Sequence, residues 1–167
     1  MNRVYLLIGG NLGDRAANLE QASAAISNEI GTICLYSSIY ETAPWGNDLQ
    51  PHFLNQVILV ETALSPTSLM NALLDIEKNM GRSRNGVNQP RTIDLDILYF
   101  NDEIIQEKEL TIPHPRIKSR KFVLTPMHEL APAHVDPVHK KSIETLLVEC
   151  EDTLEVYKYF PNVNNMH

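Results

Sequence analysis

Apolar positions along this chain fall into short blocks, and the period of each block predicts an element. Val4–Ile8 is an unbroken apolar run that predicts a short buried strand, and Gly9-Gly10-Asn11-Leu12-Gly13 then turns the chain into a helix that Asp14 can cap. Leu19, Ala22, Ile26 and Ile30 recur at helical spacing, and Gly31 stands as the stop. Ile33–Tyr40 and Phe53–Glu61 are rich in β-formers, and the turn-forming stretch between them, Thr42 to Pro51, reads as a loop. Ser65-Pro66 supplies a capping hydroxyl followed by proline at the first helical position, and Leu69, Leu73, Ile76 and Met80 make the apolar stripe of a second helix ended by Gly81. In Thr92–Phe100 the pattern alternates, with Ile93, Leu95 and Ile97 on one face and Asp94 and Asp96 on the other; Asn101-Asp102 then predicts a hairpin to Glu103–Ile105. Five prolines between Pro113 and Pro137 cut the following stretch into short pieces, before a helix over Ser142–Glu149.

The order strand, helix, strand, strand, helix, strand over residues 4–100 is the split-βαβ pattern: an α+β, ferredoxin-like single domain with a mostly antiparallel sheet and its helices on one face. The chain has 167 residues, 43% of them hydrophobic, enough for one core without disulfides or a structural metal. Cys34 and Cys150 lie far apart with no metal-ligand spacing, which suits a reducing, cytoplasmic setting, and no apolar run has the length of a signal core or a membrane span. Fold order says nothing about activity, because this fold carries many.

Charge adds a contrast. The net charge of −7 argues against a nucleic-acid or membrane binder. Yet nine of the fourteen basic residues lie between Lys78 and Lys121 against six acids, a basic island that suits a compact polyanion. Within it, Arg82, Arg84 and Arg91 surround the polar segment Asn85–Pro90, predicted to be a mobile, phosphate-gripping loop. Asp94 and Asp96, at i and i+2 on a strand, point the same way with Cα atoms ~6.6 Å apart. Such carboxylates either form a solvated strand face or hold hard cations, and two Mg²⁺ ions ~3.5–4 Å apart clamp a phosphoryl group under in-line attack. The neighbouring arginines, with Arg120, supply forked donors for phosphate oxygens and favour the metal reading.

Other candidates are less specific. The glycine turn after Val4–Ile8 fits neither nucleotide-loop pattern and reads as a tight strand-to-helix turn. His114, between Pro113 and Pro115, fits a turn-closing histidine as well as a functional one, and His128, His134 and His139 read as surface histidines rather than a zinc site. Trp45, Phe53 and Phe122 can stack on a planar ligand or belong to the core, and Asn55 can offer donors and an acceptor to a heterocycle edge.

Gly81-Arg82-Ser83-Arg84, Pro90-Arg91-Thr92-Ile93-Asp94-Leu95-Asp96-Ile97, Leu110-Thr111-Ile112-Pro113-His114-Pro115 and Arg120-Lys121-Phe122 closely resemble the 6-hydroxymethyl-7,8-dihydropterin pyrophosphokinase family of folate biosynthesis. Ile8–Gly13 and Tyr40–Gly46 fit its pattern too, so the resemblance covers about residues 3–135. It implies that the chain, as one pyrophosphokinase domain over 1–167, transfers pyrophosphate from ATP to the hydroxymethyl oxygen of the dihydropterin, using two Mg²⁺ ions and releasing AMP. By the same resemblance Asp94 and Asp96 hold the metal, and Arg82, Arg84 and Arg91 are catalytic. Glu77, Arg84, Arg91, Ile97, Thr111, His114 and Arg120 bind ATP, and Thr42, Ala43, Trp45, Phe53, Asn55 and Phe122 bind the pterin. The product passes to dihydropteroate synthase, and the expected state is a cytoplasmic monomer with no nucleic-acid or membrane partner.

Three departures from the family pattern stand out. The loop between Arg84 and Arg91 is one residue short and lacks a covering tryptophan, Glu109 stands where a basic residue is common with Lys108 beside it, and Pro115 replaces an aromatic residue. Two other classes fit the residues alone: a metal-dependent phosphohydrolase using Asp94, Asp96 and His114 on water, and a non-catalytic pterin- or nucleotide-binding module.

Overall fold

The computed structural model describes residues 1–43, 51–81 and 92–160. The segments predicted to carry Arg82, Arg84, Arg91, Trp45 and the polar loop Asn85–Pro90 lie outside the described residues.

The first strand, β1, runs over Asn2–Gly10, longer at both ends than its apolar run, because it pairs with β4 (Phe53–Thr62) from Asn2↔Thr62 to Gly10↔Leu54. Helix α1 covers Arg15–Glu29, and Asp14 caps it by accepting from the Ala17 amide at 3.1 Å. Gly31 follows the helix but opens β2 (Gly31–Tyr36) rather than serving only as a stop. A Cβ there would sit 2.1 Å from the Glu61 carbonyl oxygen on β4, so close strand approach requires the glycine. The predicted strand Ile33–Tyr40 is two strands, β2 and β3 (Tyr40–Thr42), separated where the Ser37 amide donates to the Val57 carbonyl, the Ser37 hydroxyl accepts from the Val57 amide, and the Ser38 amide turns to the Glu129 carboxylate. Helix α2 spans Pro66–Asn79 with Ser65 accepting from Ser68, and Gly81 takes φ +83° beyond its end.

β5 (Asp94–Phe100) lies at one end of the sheet, whose order is β5-β1-β4-β3-β8, with β2 also paired to β4. Every pairing is antiparallel, giving the ferredoxin-like arrangement. The hairpin expected at Asn101-Asp102 does not form. Asn101 turns the chain at φ +50°, but β6 (Ile105–Gln106) pairs with β7 (Thr111–Ile112) in a separate ribbon. The outer edge of β5 is occupied instead: Glu77 accepts from the Leu95 amide at 2.8 Å, and the His114 amide donates to the Leu98 carbonyl at 3.1 Å.

Helices on one face only is also corrected. α1 and α2 pack over Leu6, Ile8, Leu54, Ile58, Leu95 and Ile97, whereas the opposite face carries Leu7, Val57, Leu98 and Tyr99. That second face is covered by a 3₁₀ turn (Ile117–Ser119), α3 (Lys121–Leu130) and α4 (Ile143–Glu149, capped by Ser142). An unbroken apolar strand such as Val4–Ile8 is what burial on both faces demands. α3 runs through Pro126, so the proline pattern does not cut the chain there, although it removes the amide that would bond the Phe122 carbonyl. The short strand β8 (Val156–Lys158) completes the edge by pairing with β3. Among the described residues no helix is long and apolar enough to cross a membrane.

Candidate active site

Residues paired directly across an antiparallel sheet share a face. One such row crosses four strands: Asp94 on β5, Gly9 on β1, Asn55 on β4 and Tyr40 on β3. The next row holds Asp96, Leu7 and Val57, the last two of which pack under α3. Because Leu95 and Ile97 fill the core beneath α1 and α2, the half-buried Asp94 and Asp96 project on the α3 face.

Gly9 lies inside β1 and so serves more than the turn read from the sequence. An added Cβ would stand 2.1 Å from Asn55 Oδ1, so the buried Asn55 side chain lies over the bare main chain of β1, towards Asp94. The row therefore has a carboxylate and a carboxamide with no side chain between them. Phe53, half-buried, begins β4 opposite Thr42, and the Thr42 hydroxyl is buried without a partner among the described residues. Ala43 follows, half-buried. Phe122, also half-buried, rests from α3 on the cluster containing Leu7 and Val57, and the Arg120 guanidinium lies 5.5 Å from its ring centroid. A cation and an aromatic ring thus stand together at the start of α3.

His114 follows a cis Ile112–Pro113 bond, and its Nδ1 accepts from the Arg116 amide at 3.2 Å. Burial lowers its pKa, the Arg120 and Arg116 charges lower it further, and Asp94 opposes them. The neutral ring presents Nε2–H as a donor, the tautomer that the Nδ1 contact selects. Thr111, exposed on β7, lines with His114 a cavity of about 190 Å³. Ile97 is buried under the helices, so its side chain does not share the face of the aspartates. Glu77 is buried on α2, with its carboxylate against the β5 main chain.

Among the described residues no three His, Cys, Asp or Glu side chains converge as a metal cage. Two hard carboxylates on one strand face nevertheless fit Mg²⁺, which keeps most of its positions for water and phosphate oxygens. His134 is not a surface histidine. It packs tilted against Tyr99 at 4.5 Å between centroids and edge-on against Tyr5 at 5.3 Å, beside a buried Asp136 that accepts from the Tyr99 hydroxyl at 2.6 Å.

Sequence reasoning missed two supports of this face. Glu129 on α3 accepts from the Tyr40 hydroxyl at 2.6 Å and from the Ser38 amide at 3.0 Å, fixing α3 to the break between β2 and β3. The main-chain contact of Glu77 was missed as well; a lone glutamate on the inner, apolar stripe of a helix is the signal that could have found it.

An acidic pair, a wall of cation, histidine and aromatic ring, and a bare strand between carboxylate and amide define an α+β protein whose sheet face suits a metal-bound polyphosphate next to a planar ring. The model of the 7,8-dihydro-6-hydroxymethylpterin-pyrophosphokinase family matches residues 5–132, and the chain belongs to that family. It is 43% identical over 130 residues to the 2-amino-4-hydroxy-6-hydroxymethyldihydropteridine pyrophosphokinase of Bacillus subtilis, covering 77% of this chain and 78% of that one. The enzyme of the same name from Aquifex aeolicus is 35% identical over 157 residues, 94% and 96% of the two chains. Among solved structures, a Plasmodium falciparum HPPK-DHPS shares the fold with a TM-score of 0.73 at 18% identity. That match covers 89% of this chain and 43% of the longer one.

Proposed function

We infer that this chain transfers pyrophosphate from ATP to the hydroxymethyl group of 6-hydroxymethyl-7,8-dihydropterin, giving AMP and the pterin diphosphate in folate biosynthesis. The observation that supports the reading is the row Asp94, Gly9, Asn55, which sets a carboxylate and a carboxamide on one open strip of sheet within the family match.

Asn55 and the Thr42 hydroxyl bind the pterin edge, Ala43 and Trp45 border it, and Phe53 and Phe122 hold its faces. His114 Nε2–H, Arg120 and Thr111 bind phosphate and nucleotide groups of ATP, Ile97 contributes from its main chain, and Arg82, Arg84 and Arg91 neutralise the triphosphate during transfer. Asp94 and Asp96 would hold two Mg²⁺ ions, whose charge would screen the triphosphate and lower the pKa of the attacking hydroxyl. The hydroxyl oxygen, aligned with the β-phosphorus, forms the new P–O bond as the bond to the α,β-bridging oxygen breaks and AMP departs. No side chain needs to act as a strong base.

We read residues 1–167 as one pyrophosphokinase domain, acting as a cytoplasmic monomer and handing its product to dihydropteroate synthase; nucleic acid and membrane have no part in this function. The test is ³¹P NMR with ATP, Mg²⁺ and the dihydropterin, and a control without the pterin. AMP and a pterin diphosphate appearing only with all three establish the reaction. ADP would mean ordinary kinase chemistry, ATP breakdown without pterin a hydrolase, and an unchanged spectrum a binding module.

A further inference from the structure

Leu95 is the residue between the two aspartates, and its amide points away from β1 at the end of the sheet, where among the described residues no further strand pairs with β5. A main-chain N–H buried at such an edge must find an acceptor. It finds the Glu77 carboxylate at 2.8 Å, reaching across from α2, and Glu77 is only 3% exposed. Burying a carboxylate is costly, and a charge-assisted bond to an amide is one of the few arrangements that offsets the cost. An apolar residue would complete the inner stripe of Leu69, Leu73 and Ile76 without that cost, so the glutamate has a task beyond packing.

The Leu95 N–H belongs to the peptide plane that joins Asp94 to Leu95. Pinning it fixes ψ of Asp94 and φ of Leu95, and with them the direction of the Asp94 carboxylate relative to that of Asp96. We propose that Glu77 is a positioning residue: from beneath the sheet edge it holds the β5 main chain so that Asp94 and Asp96 stand at the separation that divalent cations require. The proposal rests on the metal role given to the two aspartates above and assigns Glu77 a task other than touching the nucleotide.

Two variants separate reach from charge. Glu77→Gln keeps the length and an oxygen acceptor but loses the charge, whereas Glu77→Asp keeps the charge and withdraws it by about 1.5 Å, one carbon–carbon bond. The readouts are hydrogen exchange of the Leu95 amide in the nucleotide-free protein, and calorimetric titration of α,β-methylene-ATP over a series of Mg²⁺ concentrations. Glu77→Gln should keep the Leu95 amide protected and leave the Mg²⁺ midpoint within about twofold of the parent. Glu77→Asp should expose the amide and raise the midpoint on the order of tenfold, the usual loss when a residue orienting a metal ligand is disturbed. Nucleotide affinity in EDTA should match in all three proteins. A parent-like midpoint in Glu77→Asp while its Leu95 amide is exposed, or a raised midpoint in Glu77→Gln while its Leu95 amide stays protected, overturns the proposal, because cation affinity would then not follow the hold on the main chain. Should Glu77→Asp fail to fold, Glu77→Gln decides alone: a midpoint that follows Leu95 protection supports the clamp, and a midpoint that shifts without it overturns the clamp. Leu95 exchange depends on no reaction, so failure of the phosphorus NMR assay would remove the proposed activity and leave this readout standing.

Discussion

Gly9 gives the candidate site its open strip, and the smallest side chain would close it. In Gly9→Ala the new methyl would lie 2.1 Å from Asn55 Oδ1 and 3.2 Å from the Leu54 carbonyl oxygen, so Asn55 must swing off the row. We expect overpacking to cost about 1–3 kcal/mol of stability and pterin affinity to fall while nucleotide affinity holds, as read by pterin and nucleotide titrations of one preparation. Asp96→Ala should act on the other half. Losing a metal ligand should remove ~3 kcal/mol or more of transition-state stabilisation from kcat/KM, and near-parental turnover would remove Asp96 from the metal site. The two positions differ in how plainly the sequence shows them. Asp94 and Asp96 announce themselves by strict alternation with Ile93, Leu95 and Ile97, a local signal. Gly9 is demanded by a residue on another strand, so nothing near it in sequence separates it from the turn glycines that follow.

Elements with their own start and stop signals form where they are expected: α1 behind Asp14, α2 behind Ser65-Pro66, α4 behind Ser142. α3 hides because Pro126 is a strong local breaker, overridden here by the packing of Val123, Leu124 and Met127 against the sheet. Glu129 then ties that helix to Ser38 and Tyr40. Burial raises the Glu129 pKa, but the hydrogen bonds from Tyr40 and Ser38, with Lys158 nearby, outweigh it and hold the group below the usual 4.5. The unfolded chain therefore takes up this proton first as pH falls. The stabilisation is intact above the unfolded pKa of 4.5 and is lost as pH drops through the lowered folded value. Urea denaturation should show Glu129→Gln weaker than the parent at neutral pH, with the difference shrinking under acid. A difference that is the same at neutral and acid pH would mean the ionised carboxylate is not what holds α3.

For the whole molecule, basic residues concentrated between Lys78 and Lys121 in a chain of net charge −7 make nucleotide binding an electrostatic event. α,β-Methylene-ATP with Mg²⁺ should therefore stabilise the fold by about 2.7 kcal/mol at a hundredfold excess over Kd, and so raise the melting temperature. In Asp96→Ala the Mg²⁺-dependent part of that rise should vanish, while an equal rise in both proteins would place the cation elsewhere. The two-faced cover of the sheet, only half foreseen, explains why the site is walled: α3 brings Phe122 and Arg120 over a face that a one-sided fold would leave to water. The row through Gly9 also works as a ruler. Asp94 and Asn55 sit one strand to either side of β1, so their main chains stand about 10 Å apart, twice the spacing that hydrogen bonds impose between strands. A backbone lattice, rather than flexible side chains, sets that span. An alcohol without a ring long enough to reach from amide to carboxylate has one anchor instead of two, and the sheet itself would discriminate against it by length.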